Sequence, residues 1–289
     1  MLAIFWERCH PGRSAGCSIG WQNEPLLTER DLDVTANPAG INPSPPRELI
    51  DRAIGVWMRE LEAYPGWKEW RRGTFARTLY DDGIPWPEDE EHLNEFVFSP
   101  EIERQHDLVM QYLGIEQAIH ALQDCEYYFR RFPFRGLPVS KHVHLTYMCE
   151  MYFNRFYELR ERIKKYLNVL AKFEPRHRID IGQFLKQFDR DFDQELRERN
   201  QVHHHRRFED LAIDRIFLSH AISTRRDGWA KEADYFYRKA TQEWAQRVRI
   251  RASRAEKYVD AVAQTTLEGS GFLKPLTVDA GTPDTAQTG

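Results

Sequence analysis

The sequence predicts an all-α protein on three observations. Apolar residues recur at helical spacing over most of the chain, no strand pattern of any length competes with it, and proline and glycine punctuate the helical stretches. Residues 1–48 end in NPAGINPSPP, where proline and glycine interrupt helix and ladder alike, so they predict an irregular N-terminal arm. RELIDRAIGVWMRELEAY then sets Ile50, Ile54, Trp57 and Leu61 on one helical face, and YPGW stops it. Trp57, Trp67, Trp70 and Trp86 gather within residues 49–100, which predicts a small tryptophan-rich helical region with an aromatic core and no chemistry of its own.

Longer helices follow. Leu108, Tyr112, Ile115, Ile119 and Leu122 repeat at spacings of four and three; after RFPFRGLP, the residues Cys149, Tyr152, Phe156, Leu159, Ile163, Tyr166 and Leu170 resume the rhythm. These two segments should pack as an antiparallel pair. A third helix carries Ile181, Phe184, Leu185, Phe188, Phe192 and Leu196 on one face and runs on into RERNQVHHHRRF. A short helix around LAIDRIFLSHAI precedes a long final one, on which Trp229, Ala233, Phe236, Ala240, Trp244, Val248, Ala252, Ala255, Val259 and Val262 keep helical spacing. Residues 101–266 thus read as one helical bundle, and the small, polar residues 267–289 as a disordered tail.

Of the 289 residues, 41% are hydrophobic and 13% aromatic, enough to bury a sizeable core. The formal net charge of -4 excludes a generally basic nucleic-acid coat, so any attraction to phosphate must be local. Cys9, Cys17, Cys125 and Cys149 form neither a CxxC pair nor a dense disulfide framework, which points to a reducing, cytoplasmic compartment. The apolar run in MLAIFWERCHPGRS is too short for a signal-peptide core, and no run of about eighteen apolar residues occurs, so neither secretion nor a membrane partner is expected.

Local cationic density peaks in RERNQVHHHRRF, residues 197–208, with four arginines and three histidines. Such a run can complement a helix C-terminus and face water. It can also hold a phosphate: on a helix or helix-to-turn segment Arg199 and His204 are expected to project toward roughly one side, where a guanidinium neutralises a phosphodiester and an imidazole moves a proton. On RNA the nucleophile can be the substrate's own 2'-hydroxyl, with no metal.

The stretch RNQVHH resembles the RNxxxH form of the Rx4-6H motif of the HEPN superfamily, with Arg199, Asn200 and His204 in the matching places. The setting, long antiparallel helices before the motif and one or two after it, is similar over roughly residues 101–265. The resemblance implies a HEPN-like antiparallel helical bundle behind a small helical N-terminal region, and a metal-independent endoribonuclease without cofactor. It implies His204 as general acid or base, Arg199 stabilising charge on the phosphate, Asn200 orienting one of them, and a 2',3'-cyclic phosphate product. It further implies a site completed across a homodimer, RNA as partner, an antitoxin protein as a further partner, and a role in toxin–antitoxin or antiviral defence. Many members of that superfamily have lost catalysis, so a binding scaffold for a nucleotide, RNA or protein stands beside this reading. Arg197, His203, His205, Arg206 and Arg207 are the expected RNA-binding residues, and His203 or His205 also satisfies the spacing.

Other constellations predict less. Arg135 with His142 and Arg215 with His220 meet the same loose spacing. Three consecutive histidines point in different directions on a helix and lack an HExxH setting, and Cys9, His10 and Cys17 lack the second half of a zinc site, so no metal is assigned. RVRIRASR sets Arg247, Arg249, Arg251 and Arg254 on the last helix as a phosphate-binding extension or a solvated face. A P-loop and a GxGxxG after a strand are missing from the sequence.

Overall fold

Residues 45–72, 98–175, 179–204, 207–226 and 228–273 are described by a computed structural model. The chain divides into two compact units, one of residues 1–44 and 64–96, the other of residues 45–63 and 97–289. In the first unit the described residues are 64–72: Gly66, at φ 81°, turns the chain into a short helix over 67–72 on which the Trp67 and Trp70 rings stack at 4.8 Å. Trp86 lies outside the described residues.

In the second unit, helix α1 (Pro46–Glu62) starts two residues before the predicted end of the N-terminal arm, with proline at its first turn. The missing N–H is one that a helix start leaves without an intrahelical partner anyway, so the proline that reads as a breaker opens the helix. Ile50, Ile54, Trp57 and Leu61 are buried as their spacing predicts, and α1 packs on the last helix. With Trp57 it belongs to the bundle rather than to one tryptophan-rich region spanning 49–100. Trp57 Nε1 donates to Gln105 Oε1 at 2.9 Å, and Arg47 pairs with the buried Glu116, whose Oε1 also accepts from the Tyr112 hydroxyl at 2.9 Å.

Helices α2 (Pro100–Arg130) and α3 (Lys141–Phe173) form the predicted antiparallel pair. Tyr112 meets Tyr166 while Phe129 meets Tyr152, so the residue numbers run in opposite senses along the contact. Every apolar position named for them is buried. The final helix, which we label α7 (Trp229–Gly269), runs antiparallel to α2 and parallel to α3: Trp244 stacks on Phe129 at 5.5 Å and lies edge-on to Tyr152, while Thr266 hydrogen-bonds Tyr166 at 2.6 Å. Its apolar stripe is buried from Ala240 to Val262, whereas Trp229 at the start is 38% exposed. Among the described residues no strand occurs.

The predicted third helix is two. Helix α4 (Ile181–Asp191) is capped by Asp180, which accepts from Gln183 N at 2.8 Å, and it ends at Phe192, whose φ −120° and ψ 23° leave the helical region. Helix α5 (Asp193–His204) follows at once. Leu185, Phe188 and Phe192 are buried as expected, but the next inward position is Glu195 and not Leu196. Helix α6 (Leu211–Ser223) starts at Asp210, whose carboxylate accepts from Ala212 N and Ile213 N.

Beyond residue 266 the helix continues to Gly269, and the chain then packs instead of beginning a disordered tail. Leu273 is buried, and Phe272 meets Trp57 and Phe173 at 6.1 and 5.3 Å, because two large apolar side chains find an uncovered aromatic surface beside α1. The rest of the predicted tail, 274–289, and most of the predicted arm, 1–44, lie outside the described residues.

Candidate functional site

The helix that carries the motif has no apolar stripe. Of the described side chains of α5, residues 193–202, Glu195 alone is fully buried, at 0% exposure. Arg251 on α7 grips its carboxylate with both arms of the guanidinium fork, Nε at 2.9 Å and NH2 at 2.8 Å, while Arg247 approaches at 3.5 Å and the Tyr152 hydroxyl donates at 3.3 Å. A buried charge is tolerated only when paired and hydrogen-bonded, and four donors supply that here. Arg247 also covers the Trp244 ring at 4.7 Å, so the ion cluster sits directly on the aromatic core. The motif helix is thus docked by charge, one turn before the motif begins.

Arg199 lies one turn further on. Its guanidinium carbon is 3.8 Å from the centroid of the Tyr157 ring on α3, its NH1 donates to Asn200 Oδ1 at 3.1 Å, and its Nε is buried without a hydrogen-bond partner among the described residues. No carboxylate pairs with it among the described residues. Glu195, Asp210 and Glu158 are occupied elsewhere: Glu195 by α7, Asp210 by the start of α6, and Glu158 by Arg155 and Arg162. Asn200 is exposed. Arg197 is exposed and paired with Asp193 at 2.5 Å, and Arg207 is exposed in the following loop. In that loop Phe208 rests on Phe153 and Trp244, anchoring the chain after the motif to the bundle core.

His205 and Arg206 lie outside the described residues, as do the side chains of His203 and His204, whose backbones complete the last turn of α5. The expectation that positions 199 and 204 share one side needs correction. Helix α5 runs unbroken through 204, and at 3.6 residues per turn a five-residue step turns about 140° round the axis. Position 203, only about 40° round, shares the face of Arg199.

The four arginines of RVRIRASR are all ion-paired, Arg249 and Arg254 on the exposed face of the helix and Arg247 and Arg251 half-buried against the bundle. Arg247 and Arg251 hold Glu195, Arg249 forks onto Glu126 with NH2 at 2.6 Å, and Arg254 pairs with Asp191 at 2.8 Å. Sequence reasoning missed Tyr157, which shows no signal beyond its place on the half-buried side of α3. The spacing pointed to Leu196 as the next inward position, so the burial of Glu195 left no sequence signal.

Among the described residues no cluster of three or more His, Cys, Asp or Glu side chains is placed to hold a metal ion, and no helix is long and apolar enough to cross a membrane. Comparison with known proteins found no matching family model, no similar curated protein and no similar solved structure.

Proposed function

We propose that this chain is a metal-independent endoribonuclease of the HEPN type that cleaves single-stranded RNA in the cytoplasm, as a homodimer, within a toxin–antitoxin or antiviral-defence system. The observation that carries the reading is Arg199. It is a guanidinium with no carboxylate partner among the described residues, braced on Tyr157 beside the exposed Asn200, whereas Arg155, Arg162, Arg197, Arg247 and Arg251 each pair with a carboxylate. A braced, uncompensated cation suits a phosphate whose charge grows during reaction.

In the proposed reaction the ribose 2'-hydroxyl attacks the adjacent phosphorus and the bond to the 5'-oxygen breaks, leaving a 2',3'-cyclic phosphate and a 5'-hydroxyl. His204 moves the proton and Arg199 binds the phosphate oxygens; Arg197, His203, His205, Arg206 and Arg207 hold the strand. The angular separation of positions 199 and 204 on one helix supports a site in which the two residues come from different copies of the chain.

A second reading, a non-catalytic scaffold that binds RNA, a nucleotide or a protein such as an antitoxin, is favoured by the same separation if the chain works alone. Cleavage of labelled single-stranded RNA in EDTA separates them, using wild type, Arg199→Ala, His203→Ala and His204→Ala. Cyclic-phosphate ends lost in the Arg199 and His204 variants, and restored when those two inactive variants are mixed, are expected for a shared site. A folded wild type that cuts nothing overturns the catalytic reading.

A further inference from the structure

Arg135 and His142, one of the loose coincidences of spacing, and His220 from the other line a single pocket. The loop between α2 and α3, the end of α6 and the start of α7 enclose a pocket of about 550 Å³. Arg135, Lys141, His142 and His220 line it, drawn from three elements, and Phe132 and Phe134 supply aromatic wall. Among the described residues Asp234 is the one carboxylate in the lining, and Lys141 Nζ, 2.6 Å away, neutralises it. Arg135 is exposed and has no carboxylate partner among the described residues.

Backbone charge points the same way. The pocket is where α3 and α7 begin, and these are the two longest helices, of 33 and 41 residues. Neither start is capped by a side chain: Ser140 makes no capping hydrogen bond, and the cap of α7 is Gly228, at φ 98°. Each helix start carries roughly half a positive charge and N–H groups without intrahelical acceptors. Residues from both first turns, Lys141 and His142 on α3 and Ala230 on α7, face the pocket. Cationic side chains, two uncapped helix starts and an aromatic wall in one concavity are a matched set for an anion with an apolar body.

We propose that this pocket binds a small aromatic phosphate monoester, with the phosphate among Arg135, His142, His220 and the two helix starts, and the aromatic body against Phe132 and Phe134. This proposal is independent of the ribonuclease reading. The His142 imidazole lies edge-on to Phe217 at 4.9 Å and is held below its usual range by burial, then by the charges of Arg207 and His220, with Asp214 opposing them. A bound dianion offsets those like charges and draws a proton onto the ring, so affinity rises as pH falls through the imidazole range.

Calorimetric titration of the full chain with phenyl phosphate, inorganic phosphate and sulfate tests this. Phenyl phosphate is expected to bind one per chain and about tenfold more tightly than inorganic phosphate, reflecting roughly 1.4 kcal/mol from the aromatic body. Sulfate, a dianion throughout, binds more tightly at pH 6 than at pH 8, and His142→Gln flattens that difference. Arg135→Ala, at an exposed position whose loss leaves folding intact, weakens every anion about tenfold, as expected for one charge-assisted contact. No saturable binding at millimolar anion, or unchanged affinity in Arg135→Ala, overturns the site; equal affinity for phenyl phosphate and inorganic phosphate overturns the aromatic ligand.

Discussion

Replacing Glu195 with alanine should loosen the motif helix more than any other single truncation on α5. The carboxylate is fully buried and receives a two-armed hydrogen bond from Arg251, a longer one from Arg247 and one from the Tyr152 hydroxyl. Breaking a buried ion pair by removing one partner typically costs about 3–5 kcal/mol. Here the arginines retain 22% and 30% side-chain exposure, so they recover part of their hydration, and the Tyr152 hydroxyl bears most of the residual penalty. A net loss of about 2–4 kcal/mol follows. With a urea dependence of about 3 kcal/mol per molar, the unfolding midpoint falls by about 1 M. Glu195→Gln keeps the shape but turns an amide donor toward the guanidinium donors, and it should lose about as much. Equilibrium urea unfolding followed by tryptophan fluorescence measures both. A midpoint within about 0.2 M of wild type for Glu195→Ala would refute the claim that charge docks α5.

Three further outcomes follow from the same structure. Tyr157→Leu removes the ring beneath Arg199 and should lower stability by only about 1 kcal/mol while reducing RNA cleavage far more, whereas Tyr157→Phe keeps both; equal loss in the two variants denies the stacking role. Burial pushes the Cys125 thiol up to about 12 and raises Cys149 well above its usual range, so in a Cys9→Ser, Cys17→Ser background the folded chain should resist an aromatic disulfide reagent at pH 8 and yield two thiols only in urea; fast labelling of the folded chain contradicts this. Burial also holds the His106, His142 and His144 imidazoles below their usual range, so the unfolded chain binds more protons below about pH 6.5 and stability must fall as pH drops through that range. Glu126, held below its usual range first by its hydrogen bond from Arg249, loses its contribution at still lower pH. A melting temperature lower at pH 5.5 than at 7.5, with the gap narrowed in His144→Gln, is expected, and a flat profile contradicts it.

The bundle was legible because α2, α3 and α7 repeat their apolar residues at three and four over many turns, and every such position from Leu108 to Leu170 is buried. The break at Phe192 was not legible, because Phe188, Phe192 and Glu195 keep helical spacing across it and nothing in the residue types announces a turn. The packing of residues 270–273 was not legible, because two apolar side chains in a small, polar stretch are too few to signal it. At the candidate site the sequence marked Arg199 by its polar neighbour and its basic surroundings. Its brace on Tyr157 comes from another helix 42 positions away and leaves no local pattern.

By itself, then, the sequence determined the all-α class, the long antiparallel pair and the place of the cationic motif near a helix end, since periodicity and local charge are properties of neighbouring residues. The tertiary structure decided which charges remain available. Arg247, Arg249, Arg251 and Arg254 look as cationic in the chain as Arg199 does, but each meets a carboxylate from a distant helix while Arg199 meets a ring. It also decided that His142 and His220, 78 residues apart, share one pocket. Charge compensation acts through space over a few ångströms, and only the fold specifies which residues come that close.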